Sequence, residues 1–256
     1  MKQEICTVIN REECGKELFA LTIHAPQISA IAKAGQFVHI SCGEGNMLRR
    51  PISICDIEGE NLKIVFQVKG EGTKWLSKRS AKHHLDVLGP LGHGFDITKL
   101  GERPVFIGGG IGVPPMLNTM KEAKKNGCEV TAILGFRSKD FVILEKDFND
   151  VGKTYICTDD GSYGLNGFVT SVLDEHVSEF TSICACGPKP MLRAIAQIAE
   201  KAGLPCQVSM EERMGCGIGA CLVCACELKL RDGDKGVRYG HVCKDGPVFD
   251  AKEVVW

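Results

Sequence analysis

The 256-residue sequence has no apolar run of the roughly 18 residues that a membrane-spanning helix requires. Its first residues, Met1-Lys2-Gln3-Glu4-Ile5-Cys6, include no apolar stretch of the kind that a secretory signal contains. The formal net charge is −1, so there is no basic excess to meet the phosphates of a nucleic acid. We therefore expect a cytoplasmic protein without a membrane span and without nucleic acid as a partner.

Cysteine, by contrast, is abundant, with 14 residues in the chain. In a secreted protein such a number would indicate a disulfide framework, but without a signal sequence we expect most of the thiols to be reduced. Cysteines scattered through strand-like segments are expected to act as small buried hydrophobic side chains. These are Cys6, Cys14, Cys42, Cys55, Cys128, Cys157, Cys184 and Cys206.

Four further cysteines lie within eleven residues near the C-terminus. Cys216, Cys221 and Cys224 form a C-x4-C-x2-C pattern, and Cys243 follows downstream. This spacing, with a distant fourth cysteine, is typical of a plant-type [2Fe–2S] site. We predict Cys216, Cys221, Cys224 and Cys243 as the ligands. Cys226, the remaining cysteine of the eleven-residue stretch, is predicted to be a bystander.

Three glycines, at positions 215, 217 and 219, accompany the pattern. They allow the tight turns that direct several thiols inward, and they leave backbone N–H groups free to point at cluster sulfurs. A zinc site, a disulfide knot and buried free thiols remain alternatives. Zinc sites usually combine two Cys/His pairs, each with short internal spacing, so the pattern favours [2Fe–2S] over zinc.

The first hundred residues alternate apolar and polar side chains with a period of two. We predict strands at residues 17–23, 35–40, 61–68 and 85–88, separated by turns at 58–61 and 89–92. Short strands at this spacing predict a small closed antiparallel barrel.

Two motifs in this region indicate phosphate or ring binding. In Arg50-Pro51-Ile52-Ser53 the guanidinium of Arg50 suits a pyrophosphate and the hydroxyl of Ser53 suits a ring nitrogen. In residues 70–76, Gly72 and Thr73 suit the start of a helix whose free N–H groups would meet a diphosphate. The alternatives are a surface arginine pair before a strand and an ordinary turn in which Thr73 caps a helix.

Residues 101–210 alternate strand and helix signals, which predicts a parallel sheet with helices on both faces. The predicted strands are 104–107, 130–134, 155–157, 183–186 and 207–210. The predicted helices are 114–126, 167–173 and 190–202, with Gly127 and Gly203 as stops. Sheets of this kind bind ligands at the carboxyl ends of their strands.

Four loops follow strand ends on that predicted rim, at residues 108–112, 135–138, 158–162 and 186–191. The first of these loops, the glycine-rich segment 108–112, does not have the G-x-G-x-x-G fingerprint, but its glycines let the backbone approach a phosphate. Arg137, in the second loop, could read a 2′-phosphate, so NAD and NADP both remain open. Ordinary turns are the alternative for each loop taken alone.

Together these motifs resemble the ferredoxin–NADP reductase superfamily. With the C-terminal cysteines and the run Asp245-Gly246-Pro247-Val248-Phe249, the chain is similar to the electron-transfer subunits of class 1B dihydroorotate dehydrogenases. The resemblance implies an α+β multidomain fold. It consists of a six-stranded antiparallel flavin barrel (1–99), a parallel α/β nucleotide-binding domain (100–208) and a small [2Fe–2S] segment (209–256).

The resemblance also implies cofactor contacts. FAD would contact Arg50, Pro51, Ile52, Ser53, Val65, Phe66, Gln67, Gly72 and Thr73. NAD would contact Gly109, Gly110, Gly112, Cys186, Gly187 and Pro188, with Cys186 near the nicotinamide. The family often has an arginine where Gln67 stands, which bears on one phosphate or ribose contact.

The implied partner is an FMN-containing catalytic subunit that oxidises dihydroorotate, in a heterotetramer of two subunits of each kind. Electrons would pass through [2Fe–2S] and FAD to NAD+ in pyrimidine biosynthesis. Because a flavin exchanges both hydrides and single electrons, it fits between nicotinamide and cluster. A second hypothesis is an NAD(P)H:acceptor reductase subunit of the sulfide dehydrogenase or bifurcating transhydrogenase type. A third is a zinc-binding interaction module on a degenerate nucleotide fold.

Overall fold

The computed structural model describes residues 1–230 and 236–256. Its first six strands close into an antiparallel barrel in the order β1-β2-β5-β4-β3-β6. The strands are β1 (Lys2–Gly15), β2 (Leu18–His24), β3 (Phe37–Ile40), β4 (Arg50–Glu58), β5 (Asn61–Gln67) and β6 (His84–Leu91). Two short helices, α1 (Pro26–Ser29) and α2 (Glu71–Ser77), lie between strands. The predicted six-stranded barrel is confirmed.

The barrel core follows the period-two pattern. Phe19, Leu21 and Ile23 of β2 fill the interior together with neighbours from β5. The alternate residues Leu18 and Ala20 are buried as well, because they pack against the second half of the molecule. The barrel and the following α/β region therefore share a hydrophobic core.

Three parts of the barrel differ from the prediction, and the first is β4, which was not among the predicted strands. Strand β1 was not predicted, because most of its side chains are exposed or polar and only Glu4, Cys6 and Val8 are buried. Residues 89–92 were predicted as a turn, but β6 continues through Gly89 and Pro90 to Leu91 and pairs with β1 and β3. The predicted turn at 58–61 does connect β4 to β5, with Gly59 at φ +59°.

The second half contains a seven-stranded sheet in the order β10-β9-β8-β7-β11-β12-β15. Its strands are β7 (Pro104–Gly109), β8 (Thr131–Phe136), β9 (Lys153–Thr158), β10 (Leu165–Asn166), β11 (Ser182–Cys186), β12 (Cys206–Ser209) and β15 (Val248–Asp250). All neighbouring strands are parallel except β12 and β15.

Helices cover both faces of this sheet. They are α3 (Pro114–Lys125), α4 (Glu145–Val151), α5 (Val169–His176) and α6 (Lys189–Ala202). The buried side chains of α3 and α4 pack together with the outer surface of the barrel on one face of the sheet. Those of α5 and α6 pack on the other face. Gly127 (φ +89°) follows α3 and Gly203 (φ +68°) follows α6, as predicted. Helix α4 was not predicted, because only Phe148 and Val151 of its seven residues are buried.

The C-terminal part joins the sheet. Strands β13 (Ala225–Lys229) and β14 (Val237–His241) form a hairpin, and β15 then pairs with β12 at the sheet edge. The loop between β12 and β13 carries Cys216, Cys221 and Cys224, and we call residues 210–224 the cluster loop. Among the described residues, no helix is long and apolar enough to cross a membrane.

Candidate functional site

A cavity of about 230 Å³ lies where the barrel, the sheet and the cluster loop meet. We call it the first cavity. Seven of the nine residues predicted to contact FAD line it, namely Pro51, Ile52, Ser53, Val65, Phe66, Gln67 and Thr73. The opposite wall comes from Ile111 and Cys186 of the α/β region and from Glu211, Glu212 and Met214 of the cluster loop.

The remaining two predicted residues, Arg50 and Gly72, lie against each other beside this cavity. A Cβ at Gly72 would collide with the guanidinium of Arg50, so only glycine allows the side chain to lie over the start of α2. Arg50 is held there by hydrogen bonds from its guanidinium to the Asn46 side chain (3.2 Å) and to the Leu48 carbonyl. Its charge thus lies at the helix end, beside the cavity.

Thr73 is the third residue of α2 and does not cap it, so the alternative of a threonine N-cap is wrong. Gly70 is the cap residue. The Thr73 hydroxyl accepts hydrogen bonds from the N–H groups of Lys69 (2.9 Å) and Gly70 (3.2 Å) and donates to the Gly70 carbonyl. These bonds fix the loop that brings Lys69 to the cavity wall.

Lys69 and Phe37 line the first cavity but were not singled out from the sequence. Lys69 supplies a positive charge near Gln67. At the position of Gln67, the family that the sequence resembles often has an arginine. Its place directly before the Gly70-Glu71-Gly72-Thr73 motif was a usable signal. Phe37 gave no such signal, because in a strand pattern it reads as a core residue.

Cys186 ends strand β11 at the wall of the first cavity and is 2% exposed. Burial, and to a lesser degree the negative charge of Glu211, raise the pKa of its thiol to about 12, so it is protonated at neutral pH. Gly112 lies against this strand end, and a Cβ there would collide with the Cys186 carbonyl. The glycine therefore lets the loop after β7 pack directly on the end of β11.

A second cavity, of about 430 Å³, lies at the carboxyl edge of the sheet. Parallel pairing brings the four predicted loops to one rim, since Gly109 is opposite Gly135 and Phe136 is opposite Thr158. Gly109, Gly110 and Pro188 line the cavity, whereas Gly112 and Gly187 are packed behind it. The cavity is lined by residues of all four loops and of α5 and α6, namely Gly109, Gly110, Gly135, Phe136, Arg137, Asp159, Phe168, Val169, Thr170, Pro188, Pro190, Met191 and Ala194.

The four predicted cluster ligands come together. The Sγ atoms of Cys224 and Cys243 are 3.2 Å apart, and the thiol of Cys221 lies by the backbone of Cys216. Each of the four thiols accepts a backbone N–H at 3.1–3.4 Å. The donor and acceptor pairs are Cys216 to Cys221, Ile218 and Ala220 to Cys216, Gly219 to Cys243, and Cys243 to Cys224.

Of the glycines expected to point N–H groups at the sulfurs, Gly219 does so in the structure. The other donors are the N–H groups of Cys216, Ile218, Ala220 and Cys243, which the glycine-based argument missed. Cys226 accepts no such bond from the described residues. It is buried in strand β13 opposite Gly240 and packs in the hydrophobic core.

The thiols lie as two pairs, Cys216 with Cys221 and Cys224 with Cys243. Among the described residues, no group of three or more His, Cys, Asp or Glu side chains is arranged to hold a single metal ion. Two irons bridged by two sulfides need two thiolates each, so the paired thiols and their N–H donors fit a [2Fe–2S] cluster.

The surroundings of Cys216 and Cys243 shift the pKa values of their thiols in opposite directions. Burial raises the pKa of the Cys216 thiol, but hydrogen bonds from the Ile218 N–H, the Cys221 thiol and the Ala220 N–H outweigh it and lower the pKa to about 6. Burial and the adjacent Cys224 thiol raise the pKa of Cys243 to about 12. A positively charged metal centre is the kind of group that would offset this cost.

Comparison with known proteins assigns these regions. Residues 211–255 match the sequence model of the iron–sulfur cluster binding domain of dihydroorotate dehydrogenase B, and residues 106–197 match that of the oxidoreductase NAD-binding domain. A dihydroorotate dehydrogenase B (NAD(+)) electron transfer subunit from Bacillus cereus (strain G9842) is 42% identical over 262 aligned positions, spanning 100% of this chain and 99% of the relative. The chain belongs to this family of electron transfer subunits.

A second member of the family, from Bacillus anthracis (strain A0248), is also 42% identical, again over 100% of this chain and 99% of its own. Among solved structures, that of an NADH-dependent reduced ferredoxin-NADP oxidoreductase, a flavin-based bifurcating enzyme, superposes with a TM-score of 0.88. It is 30% identical, and the match covers 99% of this chain and 90% of that one.

Proposed function

We propose that this chain is the electron transfer subunit of an NAD-dependent dihydroorotate dehydrogenase. In this function it binds FAD, a [2Fe–2S] cluster and NAD, and passes electrons from an FMN-containing catalytic subunit to NAD+ in pyrimidine biosynthesis. The observation that carries the proposal is that the first cavity has the barrel motif on one wall and Cys186 and the cluster loop on the other. When bound, the flavin would supply the exchange of hydrides with nicotinamide and of single electrons with the cluster.

The chain's own residues would hold and orient these groups. Arg50 and Lys69 supply positive charge beside α2 and suit a diphosphate, and Ser53 presents a hydroxyl to the cavity. Gly109 and Gly110 would let the nucleotide approach the sheet edge. Cys186, buried and protonated, would border the nicotinamide without adding charge.

The same reasoning supports Cys216, Cys221, Cys224 and Cys243 as the cluster ligands. Backbone N–H groups that point at the thiolate sulfurs raise the reduction potential of a cluster by stabilising the added electron. Cys226 would be spared because it is paired with Gly240 in the β13–β14 hairpin and, among the described residues, its thiol accepts no backbone N–H.

The cluster loop itself carries exposed apolar side chains. Cys221 is exposed, and so are its neighbours Ile218, Leu222 and Val223. Burying such side chains against another protein is favourable. The catalytic subunit would dock here, in a heterotetramer of two subunits of each kind, in the cytoplasm.

For the division of the chain we propose residues 1–99, 100–208 and 209–256 as units for FAD, NAD and cluster binding. The third unit is not free-standing, because its strand β15 completes the sheet of the second. Removal of residues 209–256 should therefore destabilise the NAD-binding unit as well as abolish cluster binding.

The experiment that tests the function uses the full chain with and without an FMN-containing dihydroorotate dehydrogenase subunit. The chain alone should bind flavin and iron and oxidise NADH with an artificial acceptor, but it should not oxidise dihydroorotate. Addition of the FMN subunit should give dihydroorotate-dependent NAD+ reduction. Dihydroorotate oxidation by the chain alone, or none with the partner, would contradict the proposal.

The second candidate function, a reductase subunit serving another partner, is tested by the same complex. The bifurcating enzyme's structure covers nearly the whole chain, but its 30% identity is well below the 42% of the dihydroorotate dehydrogenase relatives. Stable association with the FMN subunit at micromolar concentration is the outcome that separates the two functions.

A further inference from the structure

His39 is a buried histidine that the proposed function does not yet use. It lies in strand β3, is fully buried, and pairs through its backbone with Pro51 of the flavin motif on one side and with Leu88 on the other. Neither Nδ1 nor Nε2 has a hydrogen-bond partner among the described residues. A buried imidazole without hydrogen-bond partners is unfavourable, so its presence here calls for a functional explanation.

The side chain points toward the cluster loop. The neighbouring residues Val38 and Ile40 fill the barrel core, so Phe37 and His39 face the other side of the strand. On that side Phe37 lines the first cavity. His39 lies against Gly217, where an added Cβ would be 2.5 Å from Nδ1 and 3.0 Å from Cε1.

The imidazole also faces the carbonyl of Cys216, the first predicted cluster ligand, although without regular hydrogen-bond geometry. A neutral imidazole has one N–H donor and one acceptor nitrogen. It can therefore donate to a backbone carbonyl without adding charge next to the cluster.

We propose that His39 is a positioning residue for the iron–sulfur cluster, donating a hydrogen bond to the Cys216 carbonyl and so holding the Cys216–Gly217 turn on the flavin barrel. This inference rests on the proposed [2Fe–2S] site. The histidine joins the strand next to the flavin motif to the loop that carries the first ligand. It thereby fixes the cluster relative to the first cavity.

The test compares His39→Leu, which removes both nitrogens at similar volume, with His39→Gln, which keeps an N–H donor. Outer contacts that orient metal ligands typically contribute 10–100-fold to metal affinity. We therefore expect the His39→Leu protein to keep FAD but to lose iron to a chelator about tenfold faster, with an altered EPR spectrum of the reduced cluster. His39→Gln should restore most of the iron retention and the spectrum.

The outcomes are separable. If the wild-type chain binds no iron, the proposed function fails and the inference falls with it. If the wild type binds iron and His39→Leu matches it in iron retention and spectrum, the inference alone is wrong. If His39→Gln behaves like His39→Leu, the ring acts through its shape, and the hydrogen-bond proposal is overturned.

A second pair of variants covers the case in which His39→Leu does not fold. Gly217→Ala places a Cβ against the imidazole, whereas an added Cβ at Gly203, at the end of α6, meets no atom within 4 Å. Both glycines have positive φ, +73° and +68°, so the backbone strain is matched. Iron loss should be faster in Gly217→Ala than in Gly203→Ala, and equal rates would overturn the proposal.

Discussion

The ligand choice between Cys243 and Cys226 gives the most direct test of the site. Both cysteines are nearly fully buried, at 2% and 7% exposure. Truncation of either to alanine removes one buried sulfur, which should cost about 1 kcal/mol of unfolding free energy, on the scale of one buried methylene group. The two cluster-free variants should therefore be similarly stable.

The difference should arise when the cluster is reconstituted. The Sγ of Cys243 lies 3.2 Å from that of Cys224 and accepts a hydrogen bond from the Gly219 N–H, whereas Cys226 is paired with Gly240 within the hairpin. A ligand present at 1,000 times its dissociation constant stabilises the folded state by about 4 kcal/mol. Cys226→Ala should show a gain of at least this order on reconstitution and Cys243→Ala should show none.

The assay is denaturant unfolding of each variant before and after reconstitution, with iron and acid-labile sulfide measured per chain. Wild type and Cys226→Ala should hold two irons, and Cys243→Ala should hold none. Iron in Cys243→Ala together with its loss in Cys226→Ala would refute the ligand set. Equal loss in both would refute the view that Cys226 is only a core residue.

Other variants test the two cavities and the barrel. Gly112→Ala should cost about 1–3 kcal/mol of stability and raise the KM for NADH, because its Cβ meets the Cys186 carbonyl. Gly203→Ala is the control and should leave the KM unchanged, because Gly203 lies outside both cavities and an added Cβ there meets no atom within 4 Å. An unchanged KM in Gly112→Ala would contradict this packing argument. Asp86→Asn should cost about 1 kcal/mol at pH 7, since Arg49 contacts the carboxylate at 2.6 Å. Burial opposes ionisation of Asp86, but hydrogen bonds from Arg49 and Gln3 outweigh it and lower its pKa. The stabilisation is present above the usual pKa of 3.8 and is lost as pH falls through the lowered value, so unfolding curves of the two proteins should converge at acid pH.

The sequence was sufficient for features that depend on local periodicity. The inward faces of β2 and β5 follow from alternation, and the ends of α3 and α6 follow from Gly127 and Gly203. It was insufficient where burial depends on a distant segment. Leu18 is buried because the α/β region covers it, and no pattern within the barrel indicates that.

The same limit explains which site residues were missed. Pro51 and Ser53 belong to a motif that is recognisable as a short string. His39 and Gly217 lie far apart in the chain, and their contact depends on how the cluster loop folds back on β3. A glycine in a cysteine-rich loop reads as a turn residue, and only the fold reveals that it also makes room for an imidazole.

The fourth cluster ligand is the case in which spacing and structure meet. The β13–β14 hairpin pairs Ala225 with His241, and the Val242 N–H donates to the Cys224 carbonyl at 3.0 Å. This register brings Cys243 back beside Cys224. Cys226, the second residue of β13, is paired with Gly240 in the same hairpin, so it cannot turn toward the cluster loop without breaking that pairing. The fourth ligand is distant in sequence because the β13–β14 hairpin brings Cys243 back to the cluster loop. Cys226 is nearer in sequence, but it lies on the first strand of the hairpin and is fixed there by its pairing with Gly240.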